Sequence, residues 1–414
     1  MTSKVDNLAF EKTFNSNGNF RESQLVLGQR YAVLHKIGEG TFSQVLLARD
    51  LAHPKKRLVA LKVLPNKYSR QALTEVIRLR QLSIFNGEKN FQIVQIFDTF
   101  NFGSFICIVL EWLSGGPINI SHVEELNTTN SSHTPRELEL RRLPVTRRIT
   151  CQLVTTLLLL SKVGVLHADL KPDNILYTQA DSLDLKVLDF GNSIGTGELS
   201  GYYDTYNVQT LNYRAPEVLF GVPFGLPIDM WSLGCILCET WMGHSLFASI
   251  TRTEIMGEMS RLLGKFPKKV FKNGKYCQEQ FLESSNDDED AKTHTTQSMA
   301  NLLKTTDVNF LDFISSLLLY DPSKRLTPGM AIHHPFIADM FPLDFLSDKL
   351  YPFLIPLNTE TRLSRRSTPG LSQGLLEGNP STRIASRKRT TNPDLYESCD
   401  QVQSKRYQMH RSGE

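Results

Sequence analysis

Three short motifs in a fixed order constrain this chain more than any other feature of its sequence. They are His-Ala-Asp-Leu-Lys-Pro-Asp-Asn at residues 167–174, Asp-Phe-Gly at residues 189–191 and Ala-Pro-Glu at residues 215–217. Asp169, Lys171 and Asn174 fall within six positions, so one tight loop can present a base, a cation and a metal ligand together. Asp189 follows Asp169 after twenty positions, and the glycine of its motif allows a sharp turn beside a bound metal. The combination indicates one chemical site.

These residue types suit the transfer of a phosphoryl group from ATP to a hydroxyl, which depends on positioning and charge neutralisation. Asp169 would accept the proton of the hydroxyl, and Lys171 would neutralise the transferring γ-phosphoryl group. Asn174 and Asp189 would supply oxygen ligands to Mg²⁺, a hard cation that prefers oxygen. A turn cap would explain any one of these four residues, but not the whole set at this spacing.

Residues 38–43, Gly-Glu-Gly-Thr-Phe-Ser, form a glycine-rich turn between two stretches that have the pattern of strands. Small residues at Gly38, Gly40 and Ser43 would let backbone N–H groups approach a polyanion closely. A helix would follow a dinucleotide-binding turn, whereas a strand follows here, so we interpret the segment as a hairpin whose tip covers phosphates. A structural hairpin without a ligand is the alternative for this segment alone.

Lys62 lies in the apolar stretch 58–64, which has the pattern of a strand. A lysine is costly to bury there unless an anion pairs with it. The candidate anions are the α- and β-phosphates of ATP and Glu75, which belongs to segment 70–82 with its helical spacing of apolar residues at 73, 76, 79 and 82. The alternative is a surface lysine on an edge strand.

Four further residues are expected to support the site without reacting. We interpret His167 as a structural hydrogen-bonding ring rather than a proton shuttle, and Asp229 as an acceptor of backbone N–H groups that braces the loop. Glu217 and Arg325 should form a buried ion pair that holds the substrate platform. Removing one partner of such a pair would cost about 3–5 kcal/mol.

The composition is that of an ordinary globular protein, with 414 residues, 40% of them hydrophobic, and a net charge of +3. This charge implies no general nucleic-acid surface, and direct nucleic-acid binding is not expected. Six scattered cysteines do not resemble a disulfide framework. Cys235 and Cys238 lie in an apolar run and are interpreted as a buried helical pair, with a metal or redox site as the alternative.

No targeting or membrane-spanning segment is recognised in the sequence. The N-terminus lacks the apolar core of a secretory signal, and the most apolar stretch, 153–166, contains Lys162 and is too short to cross a bilayer. We therefore expect a soluble intracellular protein of the cytoplasm, the nucleus or both, without membrane contact and monomeric.

On its motifs, the chain resembles the eukaryotic protein kinase family from about residue 31 to residue 336. The resemblance implies an α+β, bilobal protein kinase fold, in which a small antiparallel β-sheet N-lobe with one main helix joins a larger, mostly helical C-lobe. ATP would lie in the cleft, with residues 111–113 as the hinge and Leu110 as the gatekeeper. The resemblance places around ATP Ile37, Gly38, Glu39, Gly40, Ser43, Val45, Ala60, Lys62, Glu75, Leu110, Glu111 and Leu113.

The sequence also predicts how the domains are arranged. The predicted parts are a flexible leader (1–29), the N-lobe and hinge (30–113), the C-lobe (114–340), a C-terminal extension (341–358) and a disordered basic tail (359–414). Two polar insertions are expected in the C-lobe, at 119–135 and 283–297, and the second is too charged to pack. In the tail, the basic cluster 386–389 is either a nuclear import signal or a solvated run.

Within the family, the chain is similar to the CMGC group. Segment 208–217, Val-Gln-Thr-Leu-Asn-Tyr-Arg-Ala-Pro-Glu, is similar to the activation-segment ends of the dual-specificity tyrosine-regulated, pre-mRNA-processing and SR-protein kinases. His-Ala-Asp together with Ser43 looks most like the pre-mRNA-processing branch. This implies a protein serine/threonine kinase that uses ATP and Mg²⁺ on a protein substrate. Thr210, which can contact Asp169 and Lys171, supports serine or threonine acceptors, with dual specificity open and a pseudokinase scaffold as the alternative.

Three departures from the family pattern concern the activation segment. Ala168 replaces the arginine that reads an activation-loop phosphate in many kinases. Asn207 stands where the tyrosine-regulated branch has its tyrosine, with Tyr206 one step away, and Leu211 replaces an arginine of the group. These departures argue against activation locked by autophosphorylation and against proline-directed specificity. They predict that segment 192–212 is held by packing rather than by a phosphotyrosine.

Overall fold

The chain folds into two lobes, a small one built on an antiparallel sheet and a larger, mainly helical one. A computed structural model describes residues 25–40, 42–86, 92–119, 135–203, 207–283 and 288–341. Within these residues the strands are β1 (Val26–Leu27), β2 (Tyr31–Glu39), β3 (Gln44–Asp50), β4 (Leu58–Pro65), β5 (Ile96–Phe102), β6 (Phe105–Glu111), β7 (Val165–Leu166), β8 (Ile175–Tyr177), β9 (Leu185–Val187), β10 (Ile194–Gly195), β11 (Phe266–Pro267) and β12 (Leu282–Glu283). The helices are α1 (Ser69–Asn86), α2 (Pro135–Val163), α3 (Pro216–Phe220), α4 (Pro227–Met242), α5 (Arg252–Leu263), α6 (Lys268–Phe271), α7 (Asp288–Leu303), α8 (Val308–Leu317) and α9 (Pro328–Ala331).

The sheet of the small lobe has the strand order β1-β2-β3-β4-β6-β5, and every neighbouring pair is antiparallel. Strand β4 is covered on both faces. Val59, Leu61 and Val63 pack in the small cluster on the outer face, whereas Ala60 and Leu64 belong to the main core. Since side chains alternate along a strand, Lys62 lies on the same face as Ala60 and Leu64. The strand register therefore directs Lys62 toward the space between the lobes.

Helix α1 confirms the predicted helix and extends it at both ends. Its buried apolar residues are Ala72, Val76, Leu79 and Leu82, each at most 6% exposed. The expectation that Leu73 belongs to the buried face was wrong, because its side chain is 54% exposed. Ala72 lies four positions before Val76 and so occupies that face of the helix. A small residue there allows the helix to pack closely against the sheet.

Two predicted boundaries in the small lobe differ from the structure. Leu27, placed in the leader by the sequence prediction, is fully buried in β1, so the sheet begins before residue 30, whereas residues 1–24 lie outside the described part. The apolar run over residues 93–97 predicts a strand, but the strand begins only at Ile96. Ile93 bridges to Val187 in the large lobe, and the N–H of Val94 donates to the carbonyl of Val187 at 3.0 Å. These apolar residues join the lobes rather than extend the sheet.

The large lobe is organised around α2 and α4, which pack against each other. The spacing of apolar residues over 145–163 predicts a helix, and this segment forms the C-terminal part of α2, which begins at Pro135. Cys235 and Cys238 are fully buried in α4, as predicted. Among the described residues, no group of three or more histidine, cysteine or acidic side chains is placed to hold a metal ion. No helix in the same part of the chain is both long and apolar enough to span a bilayer.

The two polar insertions have different outcomes. Residues 120–134 of the first insertion lie outside the described part, so this prediction is untested. The second insertion is not an unpacked loop as predicted, because helix α7 begins at Asp288 and continues to Leu303. Thr295 is 4% exposed, and Met299 is fully buried against α5 and α8. The apolar residues after the acidic run provide the face that packs.

Candidate active site

The loop that follows β7 is braced by a carboxylate from α4. Asp229 accepts the backbone N–H groups of His167, at 2.7 Å, and Ala168, at 3.0 Å. Burial raises the pKa of Asp229, although His167 and the two N–H groups favour the ionised form. Ala168 has a left-handed backbone with φ of 63°, an uncommon geometry for a residue other than glycine. The brace therefore fixes a strained backbone directly before Asp169.

Asp169 is surrounded by polar groups from three segments. Its Oδ1 accepts the hydroxyl of Thr210 at 2.7 Å and the N–H of Thr210 at 3.1 Å. Its Oδ2 accepts the side-chain amide of Asn192 at 3.3 Å and lies 3.7 Å from Nζ of Lys171, which donates to the Thr210 hydroxyl at 3.3 Å. The predicted contacts of Thr210 are present. The carboxylate is thus held in one orientation, with its side chain 11% exposed toward the cleft.

His167 packs and bonds within the loop. Its Nε2 lies 2.8 Å from the carbonyl oxygen of Leu188, and its Nδ1 accepts the N–H of Asp169 at 3.3 Å. The ring makes an edge contact with Phe190 at 4.9 Å between centroids. His167 is fully buried, so it joins the loop to the Asp-Phe-Gly segment without facing the cleft.

Lys62 bridges the two lobes at the base of the cleft. Its Nζ lies 2.7 Å from Oε2 of Glu75 on α1 and 2.8 Å from Oδ1 of Asp189. The predicted contact with Glu75 is present, and the contact with Asp189 was not anticipated. Asp189 has a left-handed backbone with φ of 59°, and its carboxylate accepts the N–H of Gly191 at 3.3 Å. One ammonium therefore orders helix α1 and the Asp-Phe-Gly turn together.

The pKa values of this cluster follow from burial and from the single cation. Burial alone would lower the pKa of Lys62, but the carboxylates of Asp189 and Glu75 raise it overall. For Asp189 burial acts in the opposite direction, and the Lys62 ammonium overcomes it, so that the pKa falls to about 2. Burial dominates for Glu75 and raises its pKa to about 7. Glu75, which is buried and faces the Asp189 carboxylate as well as Lys62, therefore keeps the higher pKa of the two carboxyl groups.

We expect Lys62→Met to destabilise the protein most near neutral pH, because the ammonium favours the ionised forms of both Asp189 and Glu75. In the wild-type protein Asp189 contributes stability above its ordinary pKa of 3.8, and the contribution is lost as pH falls toward about 2. Without the ammonium, burial and the facing Asp189 carboxylate raise the pKa of Glu75 further, so its ionisation destabilises the fold near neutral pH. In urea unfolding, the free energy of unfolding of Lys62→Met should be about 3 kcal/mol below that of wild type at pH 7.5. The difference should be smaller at pH 4.5. A deficit that widens on acidification would contradict the assignment.

Asn174 and Asp189 offer oxygen ligands at one end of the cleft. The side-chain nitrogen of Asn174 donates to the backbone oxygen of Asp169 at 2.8 Å, which leaves the amide oxygen to face the other way. The Asp189 side chain is 39% exposed and ionised. Mg²⁺ is commonly held by one or two protein oxygens together with phosphates and water, so these two donors fit that ion.

The glycine-rich turn lies between β2 and β3, as predicted, and Thr41 lies outside the described part. The N–H of Gly40 donates to the carbonyl of Ser43 at 2.8 Å and closes the hairpin. A Cβ at Gly40 would stand 3.0 Å from the hydroxyl oxygen of Ser43, so the turn favours glycine there. Beyond the turn, Val45 lies opposite Lys62 in the sheet, which places the hairpin beside the Lys62 cluster.

The predicted lining of the nucleotide pocket is brought together by the register of β4 and β6. Ala60 lies opposite Leu110, and both are nearly buried. Glu111 follows, and its carboxylate accepts the N–H of Gln95 at 2.7 Å and pairs with Lys186 of the large lobe at 2.9 Å. Leu113 is 5% exposed. Ile37, Gly38 and Glu39 form the end of β2, where Glu39 pairs with Lys36 at 2.9 Å.

The surface beneath the activation segment rests on a buried ion pair. Nη1 and Nη2 of Arg325 donate to the two carboxylate oxygens of Glu217, at 2.7 and 2.9 Å, and both side chains are fully buried. The predicted pair is therefore present. Arg325 also donates to the carbonyls of Pro227 and Leu319 and lies over the ring of Trp231 at 5.2 Å. The pair fixes α3 to the start of α4.

Three residues that the sequence analysis did not single out contribute to the site. Asn192 contacts Asp169, and its position directly after Asp-Phe-Gly was an available signal. Gln209 has a left-handed backbone with φ of 68°, and its carbonyl accepts Nη2 of Arg214 at 2.8 Å and Nε at 3.2 Å. Arg214 is 1% exposed. No sequence pattern predicts the contact between the Gln209 carbonyl and Arg214, because it depends on the left-handed backbone conformation of Gln209.

The sequence matches the protein kinase domain family over residues 31–337, nearly the whole of the described fold. The chain belongs to the protein kinase family. The bilobal fold that the resemblance implied is thereby confirmed, and the match includes every predicted site residue from Ile37 to Arg325.

Several kinases are similar to the chain over most of its length. Dual specificity tyrosine-phosphorylation-regulated kinase 2 of Drosophila melanogaster is 32% identical over 350 residues, which cover 81% of this chain and 45% of that protein. Dual specificity tyrosine-phosphorylation-regulated kinase 4 of Homo sapiens is 33% identical, covering 75% of this chain and 58% of that protein. The chain thus spans about half the length of these two relatives.

A third relative matches over more of its own length. Serine/threonine-protein kinase AFC2 of Arabidopsis thaliana is 31% identical over 350 residues, which cover 75% of this chain and 78% of that protein. Together the relatives confirm the similarity to the CMGC group, and two of the three carry the name of the dual-specificity tyrosine-regulated branch.

Proposed function

We propose that the chain is an active protein serine/threonine kinase that transfers the γ-phosphate of ATP to protein hydroxyls. The observation that carries the proposal is the convergence of Asp169, Lys171 and Thr210 on one point of the cleft, with Lys62 and Asp189 joined at 2.8 Å below it. A pseudokinase that serves only as a scaffold would not require this set of charges in bonding contact. The assembled charges therefore support catalysis.

Each side chain has a distinct part in the proposed reaction. Oδ2 of Asp169 accepts the proton of the substrate hydroxyl, while Thr210 and Asn192 keep the carboxylate in place. Lys171 neutralises charge that develops on the transferring group, and burial among carboxylates keeps it protonated, since Asp169, Asp173 and Asp189 raise its pKa against the effect of burial. Lys62, held by Glu75, supplies the cation that binds the nucleotide phosphates.

Asn174 and Asp189 would hold Mg²⁺, which would neutralise and orient the phosphates of ATP when bound.

The test of the proposed kinase function is incubation of the purified chain with γ-labelled ATP, Mg²⁺ and a basic protein substrate. Incorporation of label into serine or threonine of the substrate is expected. A protein that binds ATP and incorporates no label would support the scaffold alternative.

We further propose that the enzyme favours proline directly after the phosphorylated residue. Thr210 contacts the carboxylate at which the acceptor hydroxyl would lie, so the next residue of a bound peptide would pass Gln209. The carbonyl of Gln209 faces Arg214 inside the lobe rather than the peptide. A backbone N–H buried there would lack an acceptor, and proline has no N–H. This geometry favours proline-directed specificity, against which the departure at Leu211 had argued.

Replacing that proline in a peptide substrate by alanine should lower kcat/KM about 5- to 150-fold, because an unsatisfied N–H costs about 1–3 kcal/mol. A peptide library phosphorylated by the purified chain measures the preference. An N-methylated alanine at the same position, which also lacks the N–H, should recover most of the activity. Equal rates for proline and alanine peptides would refute the proposal.

A further inference from the structure

One ion pair ties helix α1 to the start of the activation segment. Nη2 of Arg78 donates to Oε2 of Glu198 at 2.6 Å. The Arg78 side chain is only 13% exposed, although it is charged, whereas Glu198 reaches it from the surface with 54% exposure. A guanidinium so nearly buried requires an anion, and the chain supplies one from residue 198.

The same carboxylate also binds the backbone beneath the catalytic loop. Oε2 of Glu198 accepts the N–H of Gly195 at 3.0 Å, and Gly195 lies opposite Val165 in the β10–β7 pair. Strand β7 leads directly into His167. The Gly195 N–H, followed by the Arg78 guanidinium, lowers the pKa of Glu198, which keeps the carboxylate ionised near neutral pH. Glu198 therefore joins α1 to the segment that carries Asp169.

The position of α1 determines whether Lys62 is paired. Glu75 and Arg78 lie three positions apart on the helix and so project to neighbouring points of its surface. Glu75 holds Lys62, while Arg78 holds Glu198. A second, weaker contact joins the same two elements, since Arg70 donates to the hydroxyl of Tyr202 at 3.4 Å. Loss of the Arg78 contact would therefore loosen the helix that positions Lys62.

We propose that Glu198 is a positioning residue, a built-in anion that holds α1 in its catalytic arrangement without a phosphate on segment 192–212. The inference rests on the proposed kinase function. It is consistent with Ala168, since no arginine precedes Asp169 to bind a phosphate on that segment. Glu198 forms the contact with Arg78 in the unmodified chain, so activity does not require phosphorylation of segment 192–212.

The test compares Glu198→Gln, Arg78→Gln and the double variant with the wild-type protein. Each single variant should lower kcat/KM about three- to tenfold, in keeping with the loss of one charge-assisted hydrogen bond, and the double variant should lose no more than either single one. The melting temperature of the double variant should stay close to that of wild type, because it removes both charges and leaves neither without its partner. Asp184→Asn is the matched control, as it breaks an exposed pair with Arg148 of 2.8 Å far from α1.

Two further measurements separate this inference from the proposed function. Hydrogen exchange of residues 69–86 without nucleotide should be faster in Glu198→Gln than in wild type or Asp184→Asn, whether or not the protein has kinase activity. Phosphatase-treated wild-type protein, shown by intact mass to be unphosphorylated before and after the assay, should keep its activity. Unchanged exchange in Glu198→Gln, or a tenfold loss after phosphatase treatment, would overturn the inference. An inactive wild-type protein with the expected exchange would instead refute the proposed function alone.

Discussion

Asp169→Asn should reduce kcat for protein phosphorylation by about 10²–10⁴-fold, the usual contribution of a general base. The amide has the size of the carboxylate, and its oxygen can still accept the Thr210 hydroxyl that Oδ1 of Asp169 accepts at 2.7 Å. The fold and the affinity for ATP should therefore change little. Steady-state kinetics with a protein substrate, together with a nucleotide-binding titration, measure the two quantities separately.

Asp173→Asn provides the matched control for that experiment. Asp173 belongs to the same loop and carries the same charge, but its side chain is exposed. This variant should keep kcat within about twofold of wild type, because Asp169 and Asp189 still keep Lys171 protonated when the exposed Asp173 charge is removed. If Asp169→Asn also kept wild-type kcat, the assignment of the base would be wrong.

Arg325→Met should lower the free energy of unfolding by about 3–5 kcal/mol, the cost of leaving a buried charge without its partner. Glu217 is fully buried and takes two bonds from Arg325, so the variant leaves its carboxylate without a cation. The carbonyls of Leu319 and Pro227 lose their donor as well. For a domain of this size the melting temperature should fall by roughly 10 °C. Urea and thermal unfolding measure the effect.

A double variant and a surface variant test the cause of this loss. Arg325→Met combined with Glu217→Leu removes both charges and should be less destabilised than the sum of the two single variants. Arg148→Gln breaks the exposed pair with Asp184 and should cost less than about 1 kcal/mol. A loss of about 1 kcal/mol or less for Arg325→Met would show that the buried pair does not carry the expected energy.

Many elements of the fold were predictable because local patterns specify them. The nearly unbroken apolar run of β4 reflects burial on both faces, and the spacing of α1 reflects one buried face, so each leaves a recognisable pattern in the sequence. The exceptions are instructive. Ile93 has a strand-like sequence, but its partner is Val187 in the other lobe, and a period cannot reveal a distant partner. The acidic run before Met299 continues into a helix, and the buried residues that the structure describes there, Thr295, Met299 and Leu303, come only after the charged stretch.

The motifs specify which chemical groups the protein has: a base, two cations and two oxygen ligands at spacings that serve phosphoryl transfer. Which side chains come into contact depends on how the two lobes fold and pack. Lys62 and Asp189, 127 positions apart, meet at 2.8 Å, and Arg78 meets Glu198 across 120 positions. The left-handed backbone of Gln209 likewise depends on Arg214 and on the core around it. Contacts between distant residues are chosen by the packing of whole lobes, and so no local pattern encodes them.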